Sequence, residues 1–575
     1  MPVRETFWNI PFEIQIGFYA ASVIATLIFA WGVKLSFDLY AKGPKKRQGG
    51  NFATRFKTLW QDIFLQRRIL KRPAGILHAA IFFTFVLLFI GTALATLDWD
   101  LAKPLGLRLL AGKTYLIYKV VLEIAGVTAI AAVGLSLVRR FGLMTKRDKK
   151  PGIFCLMVFL LFILISGFFL EALRVAALNP DWAYLTPVGL FIADTLLDGL
   201  SLDALSTLHV WTWLIHGVAG LVCVALIPFT FLEHVYKVPV SVFWRRLTAK
   251  GFLEIIPDME EAEAFGLSKV SQMTDTQRIM VSACTGCARC TDVCPALAAG
   301  APLDPRRLVE GLKNALASGE DTNLEAFVSR EALKTCSTCG ACYQACPARI
   351  DIPTLVVELR RHLALEEGDF DAGVRTAIEA STSVGNPFGM APSTRFDWAK
   401  DLDVPFAREG DFYDILFWVG CQASLDTRAR DIARAMVKIL RAAGVNFAVM
   451  AEERCLEDFA RRAGEEYVFV TAAEENIANL KKYRFRHLLT TCPHCFNTLK
   501  NEYPALGGDF SVVHHTTFIA QMIDSGRLKL KTGVPLGTIA IHDPCYLARY
   551  NDSTGSIRKA LDAIDGTRRA EVTNR

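Results

Sequence analysis

Apolar residues run almost unbroken through five stretches of this chain, at roughly 14–37, 74–97, 115–138, 152–173 and 207–232. Each is long enough for a helix to cross the hydrocarbon core of a bilayer, so five spans are expected. Past residue 240 the continuous runs stop and periodic patterns take over. The segment Leu303–Leu333 repeats apolar residues at Leu308, Leu312, Leu316, Leu324 and Phe327, a helical spacing. The run DIPTLVVELRRHLALEE starts behind Asp351 with Pro353 in its first turn, a helix start. Residues 380–410 are rich in Gly, Pro, Ser and Thr and read as an ordered linker. From 411 short buried strands (DILFWVGC, NFAVM, RHLLTTC) alternate with amphipathic helices such as RARDIARAMVKILRAAG, an α/β arrangement in which strand ends carry ligands.

Charge between the apolar runs sets an orientation. The first connection holds Lys42, Lys45, Lys46, Arg47, Arg55, Lys57, Arg67, Arg68, Lys71 and Arg72, and the third holds Arg139, Arg140, Lys146, Arg147, Lys149 and Lys150. The second has only Lys103, Arg108 and Lys113, and the fourth little beyond Arg174. Basic loops stay on the cytoplasmic side, so the N-terminus is expected outside and everything after the fifth span inside. The first run follows an acidic, amphipathic start and lacks an A-x-A-like exit, so no cleavable signal is expected. A basic collar (Lys237, Arg245, Arg246, Lys250) and the acidic DMEEAEAFG follow the last span, the collar anchoring at lipid headgroups.

Cysteine spacing supplies the chemistry. ACTGCARCTDVCPA at 283–296 and KTCSTCGACYQACPA at 334–348 both read C-x2-C-x2-C-x3-C-P. That spacing wraps three thiolates round one [4Fe–4S] cube and sends the fourth to its neighbour. One cubane is thus expected on Cys284, Cys287, Cys290 and Cys346, the other on Cys336, Cys339, Cys342 and Cys294. Pro295 and Pro347 turn the chain away just after the last ligand. Zinc ribbons want two C-x2-C pairs instead, which sets that alternative and a disulfide framework aside. A second constellation comprises Cys421, Cys455, Cys492 and Cys495, of which the last two alone could also form a redox dithiol or half a zinc site. Cys545 follows later. Cys155 and Cys223 lie within apolar runs and read as core residues.

Histidines within apolar runs are costly and therefore candidates for function. His78 opens the second run, and His209, His216 and His234 lie along the fifth. His216 and His234, on one continuous helix, would be about 27 Å apart. His78 and His234 fall at similar depth on different helices, the arrangement a bis-histidine haem b requires. Lys119 with Glu123, and Glu171 with Arg174, read as two intrahelical ion pairs. Lys119 is also a candidate for handling a proton beside a quinone.

The five runs, His78 and the pair in HGVAGLVCVALIPFTFLEH resemble the gamma subunit of respiratory nitrate reductases and the cytochrome b subunit of heterodisulfide reductase. That resemblance implies two haems, with two ligands from span two and two from span five. Here span two offers only His78, and Leu88 stands ten residues on. One haem b is expected on His78 and His234, with His216 the candidate for a second that lacks its partner. The same family places its quinol site on the outer side, which favours Lys119.

CPHCFNTLKNEYPALGG, VVHHTTF and HDPCYLARYN resemble the cysteine-rich CCG domain of heterodisulfide reductases. Where that domain often has adjacent cysteines, this chain has Cys455–Leu456, leaving four ligands for a further cluster. HDPCYLARYN opens a second copy, and with the chain ending at Arg575 no second CCG cluster is expected to assemble from Cys545 alone.

The expected fold is mainly α: a five-helix membrane bundle (1–245), a two-cluster ferredoxin-like helical module (246–365), a linker (366–410) and an α/β CCG domain (411–575). Net charge is only +6 over 575 residues, which gives no case for nucleic acid. Thirteen of the fifteen cysteines sit in cluster-like spacings, so a reducing, cytoplasmic setting is expected for the soluble part of a bacterial or archaeal membrane protein. Fused proteins of this layout resemble electron-transfer-flavoprotein:menaquinone oxidoreductases. The resemblance implies electron transfer between menaquinone and a cytoplasmic flavoprotein. The alternatives are a heterodisulfide or thiol–disulfide reductase acting at the CCG cluster, and a structural or sensory subunit with vestigial sites.

Overall fold

A computed structural model describes residues 2–46, 50–143, 151–256, 259–262, 264–531 and 536–572. Arg47, Lys146, Arg147, Lys149, Lys150, Asp258, Glu263 and Arg575, all within stretches named above, lie outside the described residues. The chain divides into two compact units, Met1–Lys42 with Asn51–Trp244, and Gly43–Gly50 with Arg245–Arg575.

The first unit holds five helices long and apolar enough to cross a membrane. They are α1 (Phe12–Ala41), α2 (Ala74–Thr96), α3 (Gly112–Leu137), α4 (Pro151–Leu178) and α5 (Leu202–Leu226). Helices satisfy their own backbone groups, the one open-ended way to cross hydrocarbon. Small residues let neighbours approach: a Cβ at Gly91 would meet Leu122 at 2.6 Å, and one at Gly126 would meet Phe168 at 2.7 Å. The fourth connection, read as loop, contains a further apolar helix, Pro187–Leu196, too short to span.

The fifth helix ends earlier than its apolar run. Pro228 cannot donate, the chain passes through a 3-10 turn at Ile227–Phe229, and Thr230 is extended. A new helix, α6 (His234–Trp244), then begins at His234 itself. The expectation of one continuous helix from His216 to His234, and the 27 Å drawn from it, is therefore corrected. Cys155 is also exposed and Cys223 only half-buried, so neither is a core residue.

In the second unit, a capping box at Thr274 starts α7 (Asp275–Ser282), which delivers Cys284. The insert forms α8 (Pro305–Ser318), burying Leu308, Leu312 and Leu316, before a 3-10 turn at Leu324–Ala326. Asp351 caps α9 (Ile352–Leu365) through the Thr354 N–H. Two collar residues pair within this unit, Arg246 with Glu254, which Lys46 also reaches, and Lys250 with Asp552 at 2.5 Å.

The α/β part is a parallel four-stranded sheet of order β2-β1-β3-β4, with β1 Phe412–Trp418, β2 Phe447–Val449, β3 Arg484–Thr490 and β4 Val512–His514. Alternation along β1 sends Ile415 and Phe417 into one core and Leu416 and Trp418 into the other. Both faces are covered, as a parallel sheet requires. Trp398, Ala399 and Val404, from the stretch read as linker, belong to the first of these cores. A second, two-stranded parallel sheet pairs β5 (Thr538–Ile541) with β6 (Arg568–Glu571).

A buried charge network ties α9 to this α/β part. Arg361 pairs with Glu466 at 2.7 Å, Arg461 with Glu466 and Glu502, and Arg462 with Glu502. Arg360 donates to the carbonyls of Arg462 (2.7 Å) and Cys336 (2.7 Å). Burial works to raise the Glu502 carboxyl, but Arg462 and Arg461 outweigh it and hold it down at about 2. A depressed folded pKa contributes stability above the unfolded value that is lost as pH falls through the folded one. Glu502 should therefore contribute about 3 kcal/mol at neutral pH, lost between roughly pH 4.5 and pH 2. Glu502→Gln should lower the thermal midpoint at pH 7 and flatten its acid dependence; an unchanged midpoint in a thermal melt would contradict this.

Candidate functional site

The two cysteine motifs adopt the same turn. Positive φ falls at Gly286 and Ala288 in the first and at Thr338 and Gly340 in the second, with values of 64°, 61°, 50° and 73°. Two left-handed positions, two residues apart, make each motif a tight turn. Thr338 N–H donates to Cys336 Sγ at 3.4 Å and Ile350 N–H to Cys346 Sγ at 3.5 Å. Pro295 starts a short turn of helix directly behind the buried Cys294.

The tertiary grouping crosses the motifs. Burial, then the neighbouring thiols Cys346, Cys287 and Cys284, push Cys290 up. Burial likewise lifts Cys284 to about 11 and Cys346 to about 12, with Cys287 a neighbour of both. In the other set, burial and then Cys336 and Cys339 push Cys342 up, and Cys294 has Cys339 beside it. Cys346 thus lies beside thiols of the first motif and Cys294 beside a thiol of the second. Cys290 is also a neighbour of Cys342, so the sets adjoin. Buried thiols such as Cys342 and Cys346 ionise readily only with metal charge present, which fits iron–sulfur centres better than catalysis by free thiols.

The constellation of Cys421, Cys455, Cys492 and Cys495 assembles at the carboxyl ends of the strands, where ligands gather in open α/β sheets. Gly420, at φ 81°, turns β1 into Cys421, whose Sγ lies 3.7 Å from Cys455 Sγ. Cys492 follows β3 and caps α10 (Pro493–Asn501), its Sγ accepting from Cys495 N–H at 3.5 Å. A Cβ at Gly420 would lie 3.6 Å from Cys495 Sγ, so all four thiols converge. The Cys495 contact, the largest influence, holds Cys492 down at about 7. Glu453 clamps the turn, accepting from Val419 N–H and Gly420 N–H at 2.9 and 2.7 Å while paired with Arg395.

One residue beside these thiols, Glu457, was not singled out from the sequence. Leu456, read as a lost ligand, packs in the core beside Trp418 and Leu488. Glu457 is buried in left-handed backbone (φ 55°), bonded to Ser381 at 2.6 Å, and burial pushes its carboxyl up to about 7. Its place directly after Cys455–Leu456 was the one available signal. Cys545 does not join these four thiols. Its thiol neighbour is Cys339, and Arg549 of the same segment donates to the Cys339 carbonyl.

In the first unit the His78 and His234 rings stand 6.4 Å apart, centroid to centroid, at 52°. His234 Nδ1–H donates to the Phe231 carbonyl at 2.6 Å, leaving the lone pair of the neutral ring on Nε2. His216 instead bonds Ser166 at 2.9 Å, and His209 packs edge-on against Trp8 at 4.6 Å. Among the described residues no second histidine ring packs on His216. Lys119 pairs with Glu171 of α4, across the helix interface, rather than with Glu123 of its own helix as expected. Glu123 accepts from Val188 N–H at 2.8 Å, and Arg174 donates to the Glu5 carbonyl rather than to Glu171.

Residues 283–351 match the family model of the 4Fe-4S dicluster domain and residues 415–500 that of the cysteine-rich domain. The EtfAB:quinone oxidoreductase of Syntrophomonas wolfei is 29% identical over 98% of this chain and 85% of its own length. The probable iron-sulfur-binding oxidoreductase FadF of Bacillus subtilis is 30% identical over 96% of this chain and 86% of its own length. One polypeptide of the dihydromethanophenazine:CoB–CoM heterodisulfide reductase of Methanosarcina barkeri is 29% identical over 52% of this chain and 77% of its own length. No solved structure matches. With [4Fe–4S] ligand motifs, a cysteine-rich domain and near-full-length similarity to such proteins, the chain belongs to the FadF-like family of fused iron–sulfur oxidoreductases.

Proposed function

We propose that this oxidoreductase sits in the cytoplasmic membrane with its N-terminus outside, and links menaquinone to a cytoplasmic electron-transfer flavoprotein. The name of the Syntrophomonas relative, which pairs EtfAB with quinone, supports the two ends of that reading. The observation that carries the middle is the His78–His234 gap. Two metal–nitrogen bonds of about 2 Å, with about 1.2 Å from each Nε2 to its ring centre, require about 6.4 Å between centroids. The measured gap is 6.4 Å, and the His234 tautomer leaves Nε2 to ligate. Haem b and the clusters would supply one-electron carriers. The protein's own part is to hold them, exclude water and manage protons.

Lys119 and Glu171 form the proton-handling pair of this reading. Hydroquinone oxidation releases protons, and a buried lysine–carboxylate pair gives one a place to go. The neighbouring Glu123 keeps one oxygen without a partner. Lys119→Met is expected to slow quinol-dependent reduction by about 100-fold while leaving the visible spectrum unchanged. Normal turnover with a menaquinol analogue in that variant would remove Lys119 from the quinone site. The overall reading is tested by mixing the purified protein with a reduced electron-transfer flavoprotein and a menaquinone analogue. Quinol formation that needs both supports it, whereas disulfide reduction without quinone would favour a thiol–disulfide reductase acting at the CCG thiols.

A further inference from the structure

The segment HDPCYLARYN neither joins the CCG thiols nor stands idle. A short helix, Cys545–Ala548, and the turn that follows it set Tyr546 and Tyr550 side by side, with rings stacked at 4.6 Å and 13°. On one side the Tyr546 ring lies 4.1 Å from the ring of His494, the residue between Cys492 and Cys495. On the other, its hydroxyl is 2.8 Å from Thr338 Oγ1, inside the second cubane motif. Tyr550 O–H donates to the Thr338 carbonyl, and its ring would lie 3.1 Å from a Cβ at Gly340. Thr338 and Gly340 flank Cys339, and Thr338 N–H donates to Cys336 Sγ. Arg462 fixes the tyrosine further, donating to the Tyr546 hydroxyl at 3.0 Å. Both tyrosines are buried.

We infer that Tyr546, with Tyr550 behind it, is the coupling element through which electrons pass between the CCG thiol site and the set of Cys336, Cys339, Cys342 and Cys294. The inference rests on iron–sulfur groups at both thiol sets. It does not depend on the identity of quinone or flavoprotein. The path runs from the Cys492–Cys495 turn through the His494 and Tyr546 rings to Thr338 by ring contact and hydrogen bond, then through the Thr338 N–H to the Cys336 sulfur and along the backbone to Cys339. One centre gives up an electron and the other gains it; the tyrosine stays closed-shell and no bond or proton changes hands. A path of touching rings couples two centres better than the gap an aliphatic side chain would leave. Tyr546 is thus a positioning residue for electron transfer and ligates nothing.

The test uses the full-length, cluster-loaded protein reduced by a flash-generated methyl viologen radical. Electrons land wherever the radical strikes and then redistribute in a phase independent of protein concentration. Tyr546→Leu should slow that phase by about tenfold or more, with Tyr546→Phe, which keeps the ring contact to His494 but loses the hydroxyl contact to Thr338, slowed less. Low-temperature EPR of each centre confirms that the variants keep their clusters. An unchanged phase in Tyr546→Leu with every signal intact overturns the inference, as does absence of the phase in the natural protein. If Tyr546→Leu loses a cluster signal, Tyr550→Leu takes its place under the same two outcomes. Loss of signal there as well makes the helix a structural wedge and overturns the inference too.

Discussion

Replacing His234 with alanine is expected to strip b-type haem absorbance from the purified protein while leaving both cubane EPR signals. The expectation comes from geometry rather than from the histidine's presence in an apolar run. Its ring faces His78 across 6.4 Å, and its Nδ1–H is committed to the Phe231 carbonyl. That hydrogen bond is the outer-sphere contact that orients a ligating imidazole. His78→Ala should give the same loss, because one axial ligand does not hold a bis-histidine haem. His216→Ala should leave this band in place, since His216 is bonded to Ser166 and faces no second ring among the described residues. Full haem content in either His78→Ala or His234→Ala would mean that the pair is a packing contact.

The second large effect concerns Cys346. Cys346→Ser is expected to cost one cubane, about four iron atoms per chain, and to abolish the EPR signal of the centre built on the first motif. Cys346 is far from Cys290 in the sequence, yet it heads the thiols that raise Cys290. Cys294→Ser should strike the other centre, because its thiol neighbour is Cys339. The two variants thus have crossed effects. If each instead damaged the centre of its own motif, the cross-motif grouping would be wrong.

Much of this was legible because it is local. Continuous apolar runs give the five helices long and apolar enough to cross a membrane, and the C-x2-C-x2-C-x3-C-P spacing marks two short segments of four thiols each without any knowledge of tertiary contacts. Strand β1 could be read because burial on both faces leaves a continuous apolar run ending at the cysteine. What failed depended either on contacts between distant residues or on a local signal that hydropathy does not weigh. Pro228 breaks the fifth helix inside an apolar run, and hydropathy does not register a missing N–H. Lys119 and Glu171 are far apart in sequence, so helical spacing pointed to the wrong partner. Tyr546 carried no signal at all, since its importance lies in what His494 and Thr338 bring to it.

The most direct measurement is the visible spectrum of the detergent-solubilised protein, taken before and after a menaquinol analogue and then after dithionite. The expected result is a b-type α-band that appears with the quinol alone, grows little with dithionite, and is missing from His234→Ala. A protein that shows no haem band even after dithionite, while its iron–sulfur signals are intact, would contradict a quinone-linked path through His78 and His234.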